Sequence, residues 1–386
     1  MKHRFHYPAL QCLLWGIYGV GQTYLNRYLL DAGLTNTQIG LMLGFSVGAA
    51  FLLQPFLGSL NDSRRLTVRQ VLLLCAAILC VGMAGMLLPV GLWMVVVLYA
   101  AGNTMINVMP SFANALGVQG IKAGMKIDIG RARGLGSVTF SITSQLASWM
   151  IAAWGLQTVP LFTLVLAGGM VAVLWTFPKV SAEVEKKDRG SDGMKAFFGR
   201  TPGIALFLLA GMLLNMSHGG IRNSMYQIAV WKASVNAHGT AMSVAAFLEL
   251  PVMFAFTWLL TKKRCSFWLR FCSVFFFVRS LLMWAVPGTF GLYAAQTAQA
   301  LGSAMYIVAS VYYLAQVLKG TDAVRGQWYA GTLSTLGSLI AYVASGTLLD
   351  RVSMPTLLMI TTLVALTGMV LMHLALHRLE RAEAAS

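Results

Sequence analysis

The sequence predicts an all-α integral membrane protein with twelve transmembrane helices, and two observations carry this prediction. The composition is 58% hydrophobic and 10% charged, whereas a soluble domain carries about 25% charged residues. The apolar segments are also long enough to cross a bilayer, whose core of about 30 Å needs roughly 20 helical residues. The predicted spans lie at approximately 8–30, 37–60, 68–88, 91–117, 131–153, 157–177, 202–230, 239–261, 267–286, 290–318, 327–349 and 353–376.

The distribution of basic residues gives each predicted span its direction. Most of the 28 lysines and arginines fall on alternate connections between spans. If the N-terminus is placed in the cytoplasm, the connections on the outer side carry only Lys232 and Arg351. Short cytoplasmic loops are enriched in basic residues, so both termini are expected in the cytoplasm, at a bacterial inner membrane. Four arginines remain inside the spans or at their mouths: Arg27, Arg133, Arg222 and Arg279.

The same distribution and the absence of catalytic motifs exclude several classes of function. The net charge of +16 is spread over loops that meet anionic headgroups, whereas nucleic-acid binding needs one contiguous basic face. The five cysteines are isolated, so neither a metal site nor a disulfide framework is expected. With no catalytic constellation and no nucleotide-binding loop, we expect no enzyme and no cofactor. The expected partners are a small-molecule substrate, protons and membrane lipids, with the monomer as functional unit.

One connection differs from the others and divides the chain. Residues 178–201 are charged, contain glycine and lack apolar periodicity, which is typical of a linker. The predicted domains are therefore 1–177, with six spans, the cytoplasmic linker 178–201, and 202–386, with six more spans and a short tail. A weak sequence similarity between the segments that begin at Arg133-Gly134 and at Arg325-Gly326 supports an internal duplication of the six-span half. Two parallel six-span halves are a known transporter plan.

Two loop motifs resemble those of the major facilitator superfamily. Gly58 through Arg65 (GSLNDSRR) is similar to its Gly-x-x-x-Asp-x-x-x-Arg signature in shortened form, and Asp128 through Gly134 (DIGRARG) resembles its lactose permease branch. The resemblance implies two pseudo-symmetric six-helix bundles and transport by alternating access. We expect Asp62, Arg64 and Arg65 to act as a conformational latch at the cytoplasmic ends of the N-terminal bundle.

Glu249 is the only acidic residue within the predicted spans. A charge there is costly, so it is a functional candidate, here for proton coupling and substrate binding. Leu248-Glu249-Leu250 and Phe277-Val278-Arg279 fall where the lactose permease branch places a sugar-binding Glu and an Arg. The alternative is a permanent salt bridge of Glu249 with Arg279 or Arg133 that only fixes helix packing.

Arg133 is the predicted substrate-binding residue of the N-terminal half. It follows Arg131 by two positions, so one side chain can reach the interface while the other points inward. A guanidinium fork suits hydroxyl pairs or a carboxylate. The alternative for Arg133 is a second interfacial arginine. Asn114, on the same face of span 4 as two other asparagines, is expected to add neutral hydrogen bonds.

Span 7 carries a polar stripe in which Asn215, His218 and Arg222 lie at i, i+3 and i+7. Such a stripe indicates a water-filled cavity, and we also assign Asn223 and Tyr226 to substrate binding. His218 can titrate near neutral pH and is the second proton-coupling candidate. The alternative role for His218 is structural, as a hydrogen-bond partner of a neighbouring helix. Ser217-His218-Gly219 is similar to permeases for aromatic acids.

The resemblance fails on span 10. There the lactose permease branch uses a His and a Glu in proton coupling, whereas this chain has Gln299 and Gly302. Neither residue titrates, so Glu249 and His218 remain as coupling candidates, or the protein is a uniporter. The predicted function is a proton-coupled symporter that imports a saccharide or glycoside. The alternatives are a permease for an aromatic or sugar acid and, less favoured, a drug/proton antiporter. The predicted substrate-binding residues are Arg133, Glu249, Arg279, Asn114, Asn223, Arg222 and Tyr226.

Overall fold

The structure is a computed structural model that describes residues 5–62, 66–178, 197–199, 201, 203–318 and 321–385, and within these ranges it contains helices and no β-strand. The helices are α1 (His6–Ile17), α2 (Leu25–Asp31), α3 (Asn36–Asp62), α4 (Val68–Gly85), α5 (Leu92–Lys122), α6 (Ile129–Trp154), α7 (Thr158–Thr176), α8 (Ile204–Asn223), α9 (Met225–Lys232), α10 (Ala237–Lys262), α11 (Cys265–Ala285), α12 (Gly288–Gln299), α13 (Met305–Val317), α14 (Thr321–Leu349) and α15 (Met354–Ala385). Two π-helical segments, Tyr18–Gln22 and Ala300–Ala304, follow α1 and α12.

In the described part of the chain, ten helices are long and apolar enough to cross a membrane. They correspond to all predicted spans except the first and the fifth. The first span is divided into α1, a π-helical segment and α2. The fifth is one continuous 26-residue helix, α6, whose two arginines and several serines and threonines lower its hydropathy. The chain is therefore a multi-pass α-helical membrane protein, as predicted.

Local sequence signals account for several helix ends. Thr67 and Gln70 form a capping box at the start of α4, which satisfies two backbone N–H groups that have no partner within the helix. The Asp128 side chain accepts a hydrogen bond from the Arg131 backbone N–H and begins α6. Gly155 ends that helix with φ of 82°, a conformation that glycine adopts at little cost. These signals position Arg133 in the first turns of α6.

The chain forms two compact units. Unit 1 comprises Met1–Lys186 and Asn236–Phe247, and unit 2 comprises Lys187–Val235 and Leu248–Ser386. Helix α10 therefore contributes its first turns to unit 1 and the remainder, with Glu249, to unit 2. The predicted division into residues 1–177 and 202–386 stays a prediction, since this grouping follows contacts rather than internal repeats.

Close helix packing in unit 1 depends on glycine. A Cβ on Gly136 of α6 would lie 2.4 Å from the Trp15 ring of α1, and a Cβ on Gly117 of α5 would lie 2.5 Å from the Tyr7 ring. Small residues allow such approach between membrane helices, where packing and hydrogen bonds replace the hydrophobic effect. The aromatic rings of α1 are thereby held against α5 and α6.

In unit 2, α8 packs against α14 and α15. Ser217 of α8 hydrogen-bonds the Ser280 hydroxyl of α11 at 3.0 Å and donates to the Thr361 carbonyl of α15 at 2.9 Å. A Cβ on Gly211 would fall 2.2 Å from the hydroxyl of the buried Tyr306. These contacts set the rotation of α8 and therefore the direction of its polar stripe.

Candidate functional site

Arg279 on α11 is the most buried arginine of the predicted site, with 3% of its surface exposed. Its Nη1 lies 2.7 Å from His218 Nδ1 on α8, and its Nη2 donates to Gln296 Oε1 on α12 at 3.4 Å. A guanidinium has only donors, so His218 Nδ1 accepts this hydrogen bond. The imidazole is therefore neutral and carries its proton on Nε2.

Glu249 on α10 is half-buried and accepts a hydrogen bond from Gln299 Nε2 on α12, at 2.9 Å from Oε1. Its carboxylate is also close enough to stabilise the positive charge of Arg279, which Arg222 on α8 opposes. Four helices of unit 2 thus meet in one polar group, formed by His218, Arg222, Glu249, Arg279, Gln296 and Gln299. We call this group the unit 2 cluster.

The backbone of span 10 is irregular beside this cluster. Gln296 and Gln299 are one helical turn apart at the end of α12, and the π-helical segment begins at the next residue, Ala300. Single π turns in membrane and soluble helices occur frequently at functional sites. A Cβ on Gly302 would lie 3.2 Å from the backbone nitrogen of Phe276. Glycine therefore lets the π-helical segment approach α11, the helix that carries Arg279.

A second polar group lies in unit 1, around Arg133. Its guanidinium carbon lies 3.6 Å from the centre of the Trp15 ring, and its Nη1 donates to Ser137 Oγ at 2.7 Å. The Trp15 indole donates to Gln11 Oε1 at 3.1 Å, and Gln11 in turn donates to Tyr7 at 2.9 Å and to Asn114 at 3.5 Å. This group, Tyr7, Gln11, Trp15, Asn114, Arg133 and Ser137, is the unit 1 cluster.

The remaining predicted residues have other surroundings. Asn223 is buried and donates to the Ser345 hydroxyl at 2.8 Å and to the Tyr342 carbonyl at 3.3 Å, which joins α8 to α14. Tyr226 is half-buried on α9. Of the predicted latch, Asp62 belongs to α3, but its side chain and Arg64 and Arg65 lie outside the described residues.

Sequence reasoning did not assign Gln11 and Gln296 to a site. Both are nearly fully buried, at 1% and 0% exposure. A glutamine within an apolar span is the signal that could have identified them, since buried amides require hydrogen-bond partners. Among the described residues, no group of three His, Cys, Asp or Glu side chains could hold a metal ion. The arrangement offers amide, guanidinium and carboxylate groups, which bind hydroxyls, carbonyls or anions.

A family model described as "MFS_1 like family" matches residues 7–357. The chain belongs to the MFS_1-like family. Members are major facilitator transporters, so this MFS_1-like protein is a membrane transporter. No curated protein matches the sequence.

Solved structures share the fold at low sequence identity. The nucleoside transporter NupG, as a D323A mutant, has a TM-score of 0.80 with 16% identity and covers 96% of this chain and 99% of its own. A bacterial homolog of the human lysosomal transporter Spinster, in an inward-facing and unoccupied conformation, has a TM-score of 0.69 with 12% identity, covering 98% of this chain and 97% of its own. This MFS_1-like protein therefore has the major facilitator fold that the loop motifs predicted.

Proposed function

We propose that this transporter is a proton-coupled symporter that imports a saccharide or glycoside by alternating access. The observation that carries the proposal is the environment of Glu249. It is the only acidic residue within the predicted spans, it accepts from an amide, and it lies near the charge of Arg279. A carboxylate that exchanges a proton for an interaction with substrate can couple the two fluxes.

Each of the two clusters by itself offers hydrogen-bonding groups that suit a polyhydroxylated solute. Arg133 and Asn114 in unit 1, and Arg279 and Arg222 in unit 2, are assigned to hydroxyl or carbonyl groups of the substrate, with Glu249 accepting from a hydroxyl. Hydrogen bonds to charged groups are worth about 1.5–3 kcal/mol each. A nucleoside is itself a glycoside, so the substrate of a nucleoside transporter such as NupG falls within the proposed substrate class.

His218 is the weaker candidate for the transported proton. While its Nδ1 accepts from Arg279, a second proton on the imidazole would break this hydrogen bond and place two cations side by side. We therefore assign the proton to Glu249 and a positioning role to His218. The chain is further proposed to act as a monomer in a bacterial inner membrane, with both termini in the cytoplasm.

An organic anion is the second candidate substrate. Three arginines, Arg133, Arg222 and Arg279, belong to the two clusters together with a single carboxylate. An aromatic or sugar acid would balance this excess of positive charge. A drug/proton antiporter is less favoured, because the predicted spans of the first half contain no acidic residue to attract a cation.

The test is uptake into proteoliposomes with and without an imposed pH gradient, using labelled sugars, nucleosides and organic acids. We expect accumulation of a glycoside that collapses when a protonophore is added. Glu249→Gln keeps the shape of the side chain but cannot release a proton, so accumulation should disappear while exchange of internal for external solute survives. Wild-type accumulation in Glu249→Gln would refute the proton assignment and make His218→Gln the next variant.

A further inference from the structure

Gln299 is a direct hydrogen-bond partner of Glu249, the proposed coupling residue. Its Nε2 lies 2.9 Å from Glu249 Oε1, and the side chain is half-buried at the end of α12. An ionised carboxylate only accepts hydrogen bonds, so the amide must present its NH2 group to it. The observed contact is the one that ionised Glu249 requires.

Protonation of Glu249 changes what its partner must provide. A protonated carboxyl group has an O–H donor that needs an acceptor, and the carbonyl oxygen of the same amide supplies one after a half-turn about its terminal side-chain bond. That torsion is broad and roughly two-fold, so the reversal needs no backbone movement. A glutamine can thus satisfy both protonation states of its neighbour without titrating itself, whereas a leucine can satisfy neither.

We propose that Gln299 is a positioning residue for proton coupling, donating to ionised Glu249 and accepting from protonated Glu249 after reversal of its amide. This inference rests on the proposed function, in which Glu249 carries the proton. No covalent bond changes; the proton enters on a Glu249 oxygen and leaves from it. Gln299 then occupies the span 10 position where the resembling permeases place a titrating residue, but serves Glu249 without titrating.

The balance between ionised and protonated Glu249 depends on the relative strength of the hydrogen bond that Gln299 donates to the first and the one that it accepts from the second. A hydrogen bond to a charged group is roughly twice as strong as a neutral one, so Gln299 favours the ionised carboxylate. Among the charged groups of the unit 2 cluster, Arg279 on α11 interacts with Glu249, and Arg279 in turn interacts with His218 and Arg222 on α8. These groups remain when Gln299 is replaced, so the change isolates the amide.

The experiment measures the pH dependence of solute uptake and of solute binding to the purified full-length protein. In Gln299→Leu ionised Glu249 loses the amide donor of Gln299, and we expect the midpoint of both profiles to move to higher pH by about one unit, which corresponds to about 1.4 kcal/mol. Gln299→Glu should move it further in the same direction, because two adjacent carboxyl groups resist double ionisation. Thr297→Val, an exposed position on the same helix, is the matched control and should keep the wild-type midpoint.

The outcomes separate this inference from the proposed function. Loss of proton-driven accumulation in Glu249→Gln together with an unshifted Gln299→Leu midpoint would overturn the role of Gln299 alone. Wild-type accumulation in Glu249→Gln would overturn the proposed function and this inference with it. If Gln299→Leu does not insert into the membrane, Gln299→Asn shortens the amide by one methylene, and its binding profile must still shift upward; an unchanged or lowered midpoint would refute the inference.

Discussion

Replacing Trp15 tests whether the unit 1 cluster orients Arg133 for substrate. The indole lies under the guanidinium, 3.6 Å from its central carbon, and cation–π contacts are worth about 1 kcal/mol at exposed sites and about 2 kcal/mol when desolvated. Trp15→Leu removes this platform. An effect of 1–2 kcal/mol is a factor of about 5–30, so we expect KM for uptake to rise by about that factor while the maximal rate stays within about twofold.

Two further variants separate the contribution of the Trp15 ring from that of its hydrogen bond with Gln11. Trp15→Phe keeps an aromatic face but loses the indole N–H that Gln11 accepts, so it should cost less than Trp15→Leu. Gln11→Leu removes that acceptor while leaving the ring, and a neutral hydrogen bond worth about 1 kcal/mol predicts a rise in KM of about fivefold. Both measurements use the substrate identified in the uptake panel.

The matched control is Trp149→Leu, since Trp149 lies on α6, like Arg133, and is 63% exposed. We expect its KM to equal that of the wild type. Initial uptake rates over a range of substrate concentrations, normalised to transporter reconstituted, give both constants. The reasoning is refuted if Trp15→Leu and Trp149→Leu have the same KM, or if Trp15→Leu lowers only the maximal rate.

Four other variants test helix packing, an ion pair and the latch. Gly211→Ala should destabilise unit 2 by about 1–3 kcal/mol through overpacking against a tyrosine, whereas Gly331→Ala, with open space around its Cβ, should be neutral or stabilising; thermal unfolding in detergent compares them. Glu380→Gln breaks a two-pronged ion pair with Arg270 at 3.1 and 2.5 Å and should cost about 1 kcal/mol after allowance for solvent screening, measured by a double-mutant cycle. Asp62→Asn should lower the transport rate more than substrate affinity.

Each of these expectations has a contradicting result. Equal melting temperatures for the two glycine variants would show that the Gly211 contact relaxes freely. If the losses of stability caused by replacing Glu380 and Arg270 are additive in the double-mutant cycle, the pair contributes no coupling energy. A tenfold loss of affinity in Asp62→Asn, about 1.4 kcal/mol, at an unchanged rate would place Asp62 in substrate binding instead of the latch.

The site could be predicted only as far as single residues. The cost of an intramembrane charge marks Glu249, Arg133 and Arg279 from the sequence alone. Their partners are far away in the chain, by 50 residues for Gln299 and Glu249 and by 61 for Arg279 and His218. Whether two such side chains meet depends on the rotation and tilt of each helix, which are set by packing contacts such as those of Ser217 and Gly211.

The sequence by itself determined the all-helical membrane class and the order of the spans. In a bilayer every backbone polar group must be satisfied within the protein, so a long apolar segment has one available structure. Tertiary structure decided what hydropathy does not report: the π-helical segments at Tyr18–Gln22 and Ala300–Ala304, and the grouping of Asn236–Phe247 with unit 1. It also joined Glu249 to an amide and Arg133 to an indole, because contacts between helices depend on side-chain shape across the interface rather than on spacing along one chain.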